Sequence, residues 1–103
     1  MEQLASDYGV DEMNDQSKPL LAKVLFVIEQ FERDEVGIPE AQGVVDSVSG
    51  LLERNDQALI DELRDCEADL EFIRFATPNE QQRSAALTRL RRTDLAIRAA
   101  IGA

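Results

Sequence analysis

Histidine and tryptophan are absent from this chain of 103 residues, and it has a single cysteine. Without histidine, the chain lacks the commonest general base and the commonest side-chain metal ligand. One cysteine without histidine forms no catalytic pair, and no zinc-binding spacing of cysteines or histidines occurs. No glycine-rich phosphate loop is found either. The sequence therefore predicts a protein that is not an enzyme, with no cofactor and no metal site.

Long hydrophobic runs are also missing, because no apolar stretch approaches the roughly 18 residues of a membrane-spanning helix. The first 16 residues are acidic and lack the hydrophobic region of a signal peptide. The cysteine, Cys66, lies on an apolar stripe, which predicts a buried and inert thiol, with a reactive thiol as the alternative. These features favour a cytoplasmic protein that has no disulfide bond and no membrane contact.

Positive charge is scarce: 11 lysines and arginines face 21 acidic residues, which gives a net charge of −10. This charge disfavours binding to nucleic acid or to an anionic membrane and favours a basic protein partner. The alternative is that the charge only provides solubility. Residues 56–76 contain seven acidic and two basic residues, whereas residues 77–103 contain two acidic residues and five arginines. Some of the acid can therefore be matched within the molecule.

Apolar residues recur at helical spacing in four segments, joined by short connections. Short loops join antiparallel neighbours, so the pattern predicts an all-α, single-domain bundle of about four helices in up-down-up-down order. Residues 1–16 are predicted to form a flexible acidic arm, and residues 17–103 the helical bundle domain. The predicted helices run from about Ser17 to Asp34, from about Pro39 to Arg54, from Asn55 to Thr77, and from Pro78 onward.

Capping residues mark the helix boundaries. Ser17 is predicted as the N-cap of the first helix, and Gly37 as the left-handed residue after its end. Pro39 suits the first turn of the second helix. Thr77 with Glu80 three residues later forms a capping-box pattern at the start of the fourth helix.

The second helix has the weakest helical pattern of the four segments. Gly43 and Gly50 each cost roughly 1 kcal/mol relative to alanine inside a helix, and the valines of this segment favour a strand. Both glycines fall opposite the apolar stripe. They therefore indicate either close approach of another backbone or a soft helix.

The third segment has the strongest helical period, with Asn55 as its predicted N-cap. Three aspartates, Asp61, Asp65 and Asp69, fall on a second stripe, each four residues from the next, where like charges repel. Such a stripe is typical of a binding surface. The apolar stripe of this helix consists of Leu59, Leu63, Cys66, Leu70 and Ile73.

Aromatic residues lie beside the acidic stripe. Phe72 lies on its side of the helix, and Phe75 lies further round on the same side. We predict that Asp61, Glu62, Asp65 and Asp69 face a basic protein surface, with Phe72 as an apolar anchor among them. The alternatives are that the aspartates are a solvated face and that both phenylalanines are core. Phe26, which lies off the stripe of the first helix, is predicted as additional core.

One arrangement of carboxylates favours an enzyme instead. Glu29 and Glu32 lie three apart on the first helix, and Glu62 and Asp65 lie three apart on the third. Two such pairs facing each other could hold magnesium and polarise a pyrophosphate. They resemble the E-x-x-E and E-x-x-D pairs of the MazG-type all-α nucleotide pyrophosphohydrolases, which remain the lesser alternative.

A second resemblance covers residues 20–101. The chain resembles small acidic helical immunity proteins in three successive stretches, which are LLAKVLFVIEQF, EVGIPEA and LIDELRDCEADLEFIRFATPNEQQR. Those proteins protect bacteria from polymorphic toxins, including contact-dependent inhibition and colicin D-type systems. The resemblance implies a cognate toxin domain as partner, bound in the cytoplasm by acidic side chains over a basic active-site cleft. Another protein–protein adaptor or regulatory subunit is the alternative function.

Overall fold

The computed structural model describes residues 16–52 and 56–102, and these residues form four α-helices. The helices are α1 (Ser17–Glu32), α2 (Ile38–Leu51), α3 (Gln57–Ala76) and α4 (Asn79–Ala100). No strand occurs among these residues. The predicted arm over residues 1–16 falls almost wholly outside the described residues, as does the predicted N-cap Asn55.

Each helix packs against its neighbours in the chain, and α1 also packs against α4, which closes the bundle. Side-chain contacts fix the directions. Ser17 at the start of α1 donates a hydrogen bond to Asp56 at the start of α3, so these two ends lie together. Arg83 near the start of α4 contacts the end of α1. The predicted all-α bundle in up-down-up-down order is therefore confirmed.

The predicted apolar stripes form the core. Every residue of the α3 stripe is buried, including Cys66, whose thiol is inaccessible. In α4, Ala86, Leu90 and Ile97 are fully buried, while Ile101 is only partly buried at the end of the bundle. Phe26 is 57% exposed, so its prediction as core is wrong.

The connection between α1 and α2 differs from the predicted one. Asp34, not Gly37, adopts the left-handed conformation, with φ of 64°. Aspartate tolerates this conformation better than most residues, which frees Gly37 for another role. Gly37 is extended and precedes α2, and its N–H donates to the Glu40 carboxylate at 2.9 Å. Pro39 lies in the first turn of α2, as predicted.

Two further cap predictions are wrong. Ser17 is the first residue of α1 rather than its cap, because its hydroxyl donates to the buried Asp56 carboxylate at 2.5 Å. Thr77 makes no capping bond to α4, and Pro78 precedes the helix rather than starting it. Instead, Gln82 donates to the carbonyl of Thr77 at 2.9 Å.

Gly43 and Gly50 lie on the exposed side of α2. A methyl group added at either position would meet no atom within 4 Å outside its own helix turn. The suggestion that they allow close approach of another backbone is therefore wrong. They lower the helix propensity of α2 without a packing role.

Candidate protein-binding surface

The candidate site is the outward face of α3, which carries the acidic ridge, defined as Asp61, Asp65 and Asp69. At 100° per residue, Asp61, Asp65 and Phe72 fall within a narrow sector opposite the buried stripe. All three ridge aspartates and Phe72 are exposed. The helical period thus places carboxylates and an aromatic ring on one solvent-facing surface.

Two large apolar rings lie on this face. Phe72 is 66% exposed and Phe75 is 75% exposed. The alternative interpretation of these residues as core is therefore wrong. Arg74 covers part of the Phe75 ring, with its guanidinium carbon 5.0 Å from the ring centroid. Phe72 has no such cation over it among the described residues, so it is the more available ring.

The acidic side chains differ in how their charge is compensated. Asp61 accepts a hydrogen bond from the neutral Gln57 amide at 2.9 Å, and no hydrogen bond or ion pair reaches Asp65 from the described residues. Asp69 is half exposed but pairs with Nε of Arg89 at 2.7 Å. Asp61 and Asp65 therefore present the uncompensated charge of the ridge.

Glu62 lies at the edge of this face and turns towards α4. Its side chain is 19% exposed and accepts hydrogen bonds from Arg89 Nη1 and the Thr93 hydroxyl, each at 2.8 Å. Burial raises the pKa of Glu62, but these two bonds and the charges of Arg89 and Arg92 outweigh it. The pKa of Glu62 is therefore lowered from its ordinary value of 4.5.

Arg89 is the centre of this cluster and is only 6% exposed. Burial lowers the pKa of its guanidinium, but the hydrogen bonds to Glu62 and Asp69 raise the pKa by more than burial lowers it. The pKa is therefore above its ordinary value, and Arg89 stays charged. Its Nη2 has no hydrogen-bond partner among the described residues. Arg89 therefore joins α4 to α3 beneath the ridge at some energetic cost.

Cys66 lies next to this cluster in the core. Burial raises the pKa of the Cys66 thiol, and a hydrogen bond with Thr93 and the charge of Arg89 only partly oppose the rise. The neutral thiol is the stable form at neutral pH, and a buried neutral thiol is a poor nucleophile.

Phe72 separates two shallow grooves. On one side is the groove between α3 and α4, with Ile73 and Ala85 at its apolar surface and Arg92 at its rim. On the other side is an acidic groove along α3, bounded by Glu67, Glu71 and Phe75. The ring thus projects between an apolar depression and an acidic one.

The acidic groove is tied to α2 by Gln42. Its amide donates to Glu67 at 2.8 Å and to Glu71 at 3.4 Å, and its carbonyl accepts from Arg74 at 2.8 Å. This network fixes the acidic side chains at the back of the groove. Sequence reasoning missed Gln42 because the residue lies on the polar margin of a weakly patterned helix.

The carboxylate pairs of the enzyme alternative do not come together. Glu29 pairs with Arg33, Glu32 with Arg91, and Glu62 with Arg89. Over residues 16–52 and 56–102, no group of three or more acidic or cysteine side chains could hold a metal ion. The arrangement that magnesium-dependent pyrophosphate chemistry needs is not assembled in the described part of the chain.

No family model, curated protein or solved structure matches this sequence. In the described ranges, no helix has the length and apolar character needed to cross a membrane.

Proposed function

We propose that this protein binds another protein, placing the acidic ridge and Phe72 of α3 against a basic surface of its partner. The observation that carries this proposal is a phenylalanine two-thirds exposed beside two carboxylates with no charged partner. Single exposed apolar residues are common, but aromatic anchors surrounded by charge are typical of interfaces. The charges select the partner and speed encounter, and the ring supplies affinity as it is desolvated.

We further propose that the partner is a toxin domain and that the protein acts in the cytoplasm as its immunity protein. This step depends on the resemblance of residues 20–101 to small acidic immunity proteins. In this role, Asp61 and Asp65 cover cationic side chains of the toxin cleft. Glu62 and Asp69, which are held by Arg89, keep α3 and α4 in place beneath the contact.

Co-expression with a candidate toxin domain, chosen from the reading frames that neighbour this gene, tests the proposal. Wild-type protein should restore growth, whereas reversing the two uncompensated aspartates, Asp61 and Asp65, to lysine should abolish protection while leaving the helical circular dichroism unchanged. Reversing Glu29 and Asp46, acids outside the ridge, is the matched control and should preserve protection. Equal protection by the ridge and control variants would refute the role of the ridge.

The binding mechanism has a separate kinetic test with the purified toxin domain. The association rate should fall steeply with added salt, because the Debye length shortens to about 10 Å at 0.1 M ionic strength. Asp61→Asn and Asp65→Asn should each slow association more than Asp69→Asn, since Arg89 already compensates Asp69. A salt-independent rate would contradict electrostatic recognition.

A further inference from the structure

The groove between α3 and α4 is shallow and largely apolar. Its volume is about 280 Å³, below the roughly 300–1,000 Å³ of small-molecule pockets. Ile73 and Ala85 form its apolar surface, and Phe72 forms one wall. A leucine or phenylalanine side chain fits within this space and would contact Phe72, Ile73 and Ala85.

The two rims of this groove carry opposite charges. Asp69 lies on the α3 rim. Asp65 lies one helical turn before Asp69 on the same helix, and Asp61 lies one turn before Asp65. Arg92 lies on the α4 rim, where it is exposed and makes no ion pair among the described residues. An occupant with its basic edge towards α3 and an acidic or neutral edge towards α4 would match this pattern.

We propose that the groove receives one large apolar side chain from an amphipathic helical segment of the partner. This inference rests on the proposed function and names the chemistry of its partner. Asp65 precedes Phe72 by seven residues, a distance of about 10 Å along α3. The partner segment therefore carries a basic residue about two helical turns from its apolar residue. The apolar side chain can then enter the groove while the basic side chain contacts Asp65.

The acidic groove on the other side of Phe72 is a poorer receptor for the same side chain. Gln42 already bridges Glu67 and Glu71, and the Arg74 guanidinium lies over the Phe75 ring. An apolar side chain placed there would remove these polar groups from water without pairing them. The groove between α3 and α4 offers the drier contact.

Two model peptides of about 14 residues test the inference without a natural partner. One is an amphipathic helix of leucine and lysine, and the other has every leucine replaced by alanine. In NMR titrations of ¹⁵N-labelled protein, the leucine peptide should bind about tenfold tighter. Its extra shift changes should centre on Ile73, Ala85 and Thr88, while both peptides should perturb Asp61 and Asp65.

Variants that fill the groove give the decisive comparison. Ala85→Leu and, independently, Thr88→Leu should abolish most of the preference for the leucine peptide, because the added side chain occupies the space. Ala99→Leu, on the exposed side of α4, should retain the preference. Thermal melting of each variant verifies folding, and Thr88 is exposed, so Thr88→Leu keeps the test usable if Ala85→Leu unfolds.

The outcomes separate this inference from the proposed function. An undiminished preference for leucine in both groove variants, or no preference in the wild type, would overturn the groove assignment. The proposed function would still stand if Asp61→Lys and Asp65→Lys weakened binding of both peptides. Binding that ignores these two charges would remove the support for both.

Discussion

Truncation of Phe72 separates a binding residue from a structural one. We expect Phe72→Ala to change the free energy of unfolding by only about 1 kcal/mol or less. Burying a phenylalanine side chain fully contributes about 1.5–3 kcal/mol, and Phe72 leaves 66% of its surface in water. Only about a third of that contribution is available for the mutation to remove.

Phe31→Ala is the matched control, because it makes the same chemical change in the core. Phe31 is 2% exposed and lies beneath the Arg83 guanidinium, 5.1 Å from the ring centroid. Truncating a buried phenylalanine costs about 3–5 kcal/mol through lost burial and the cavity left behind. The two variants should therefore differ by at least about 2 kcal/mol.

Urea unfolding followed by circular dichroism at 222 nm measures both values, and partner binding is measured on the same samples. Phe72→Ala should weaken binding by about 2 kcal/mol, a factor of about 30. A loss of 3 kcal/mol or more in stability, with unchanged affinity, would show that Phe72 is a packing residue. That result would refute its role as the anchor.

Three further changes probe the buried cluster and the helices. Glu62→Gln should lower the free energy of unfolding by about 1–3 kcal/mol at pH 7. Because the pKa of Glu62 is lowered in the folded protein, the difference from wild type should shrink as pH falls below 4.5. A stability difference that persists in strong acid would contradict this. The Cys66 thiol should react with Ellman's reagent only after unfolding, so rapid labelling of folded protein would disprove its burial. Gly43→Ala should raise the free energy of unfolding by about 0.5–1 kcal/mol, since the added methyl meets open space, and a lower midpoint in urea would count against it.

Helical periodicity in the sequence was sufficient to predict most of the core, with the exposed Phe26 as an exception. Burial of a side chain on a regular helix depends on its angular position, so Leu63, Leu70 and Leu90 could be assigned without coordinates. The exposure of the ridge aspartates follows from the same angles. The order of the four helices follows from the shortness of their connections.

Contacts between distant parts of the chain could not be predicted in this way. Arg89 is buried because Glu62 and Asp69 on another helix compensate its charge, and a single sequence does not reveal that pairing. The local sequence predicts Ser17 as a helix cap, but its hydroxyl donates a hydrogen bond to Asp56, which lies 39 residues away. The left-handed conformation is adopted by Asp34 and not by Gly37, because aspartate also tolerates this conformation.

The contact between Arg83 and the end of α1 has a consequence for folding order. Arg83 donates to the carbonyls of Phe31 at 3.0 Å and Glu32 at 3.2 Å, so a side chain some 50 residues away caps this helix terminus. The backbone N–H groups of Arg33, Asp34 and Glu35 already pair with the carbonyls of Glu29, Phe31 and Gln30, so Arg83 adds a second donor at Phe31 and a donor at Glu32. The positive charge of Arg83 also interacts favourably with the C-terminal end of the helix dipole. A nascent chain ending before α4 lacks this cap. The last turn of α1, which before then has only its local backbone bonds, should therefore gain protection from amide exchange once α4 has docked.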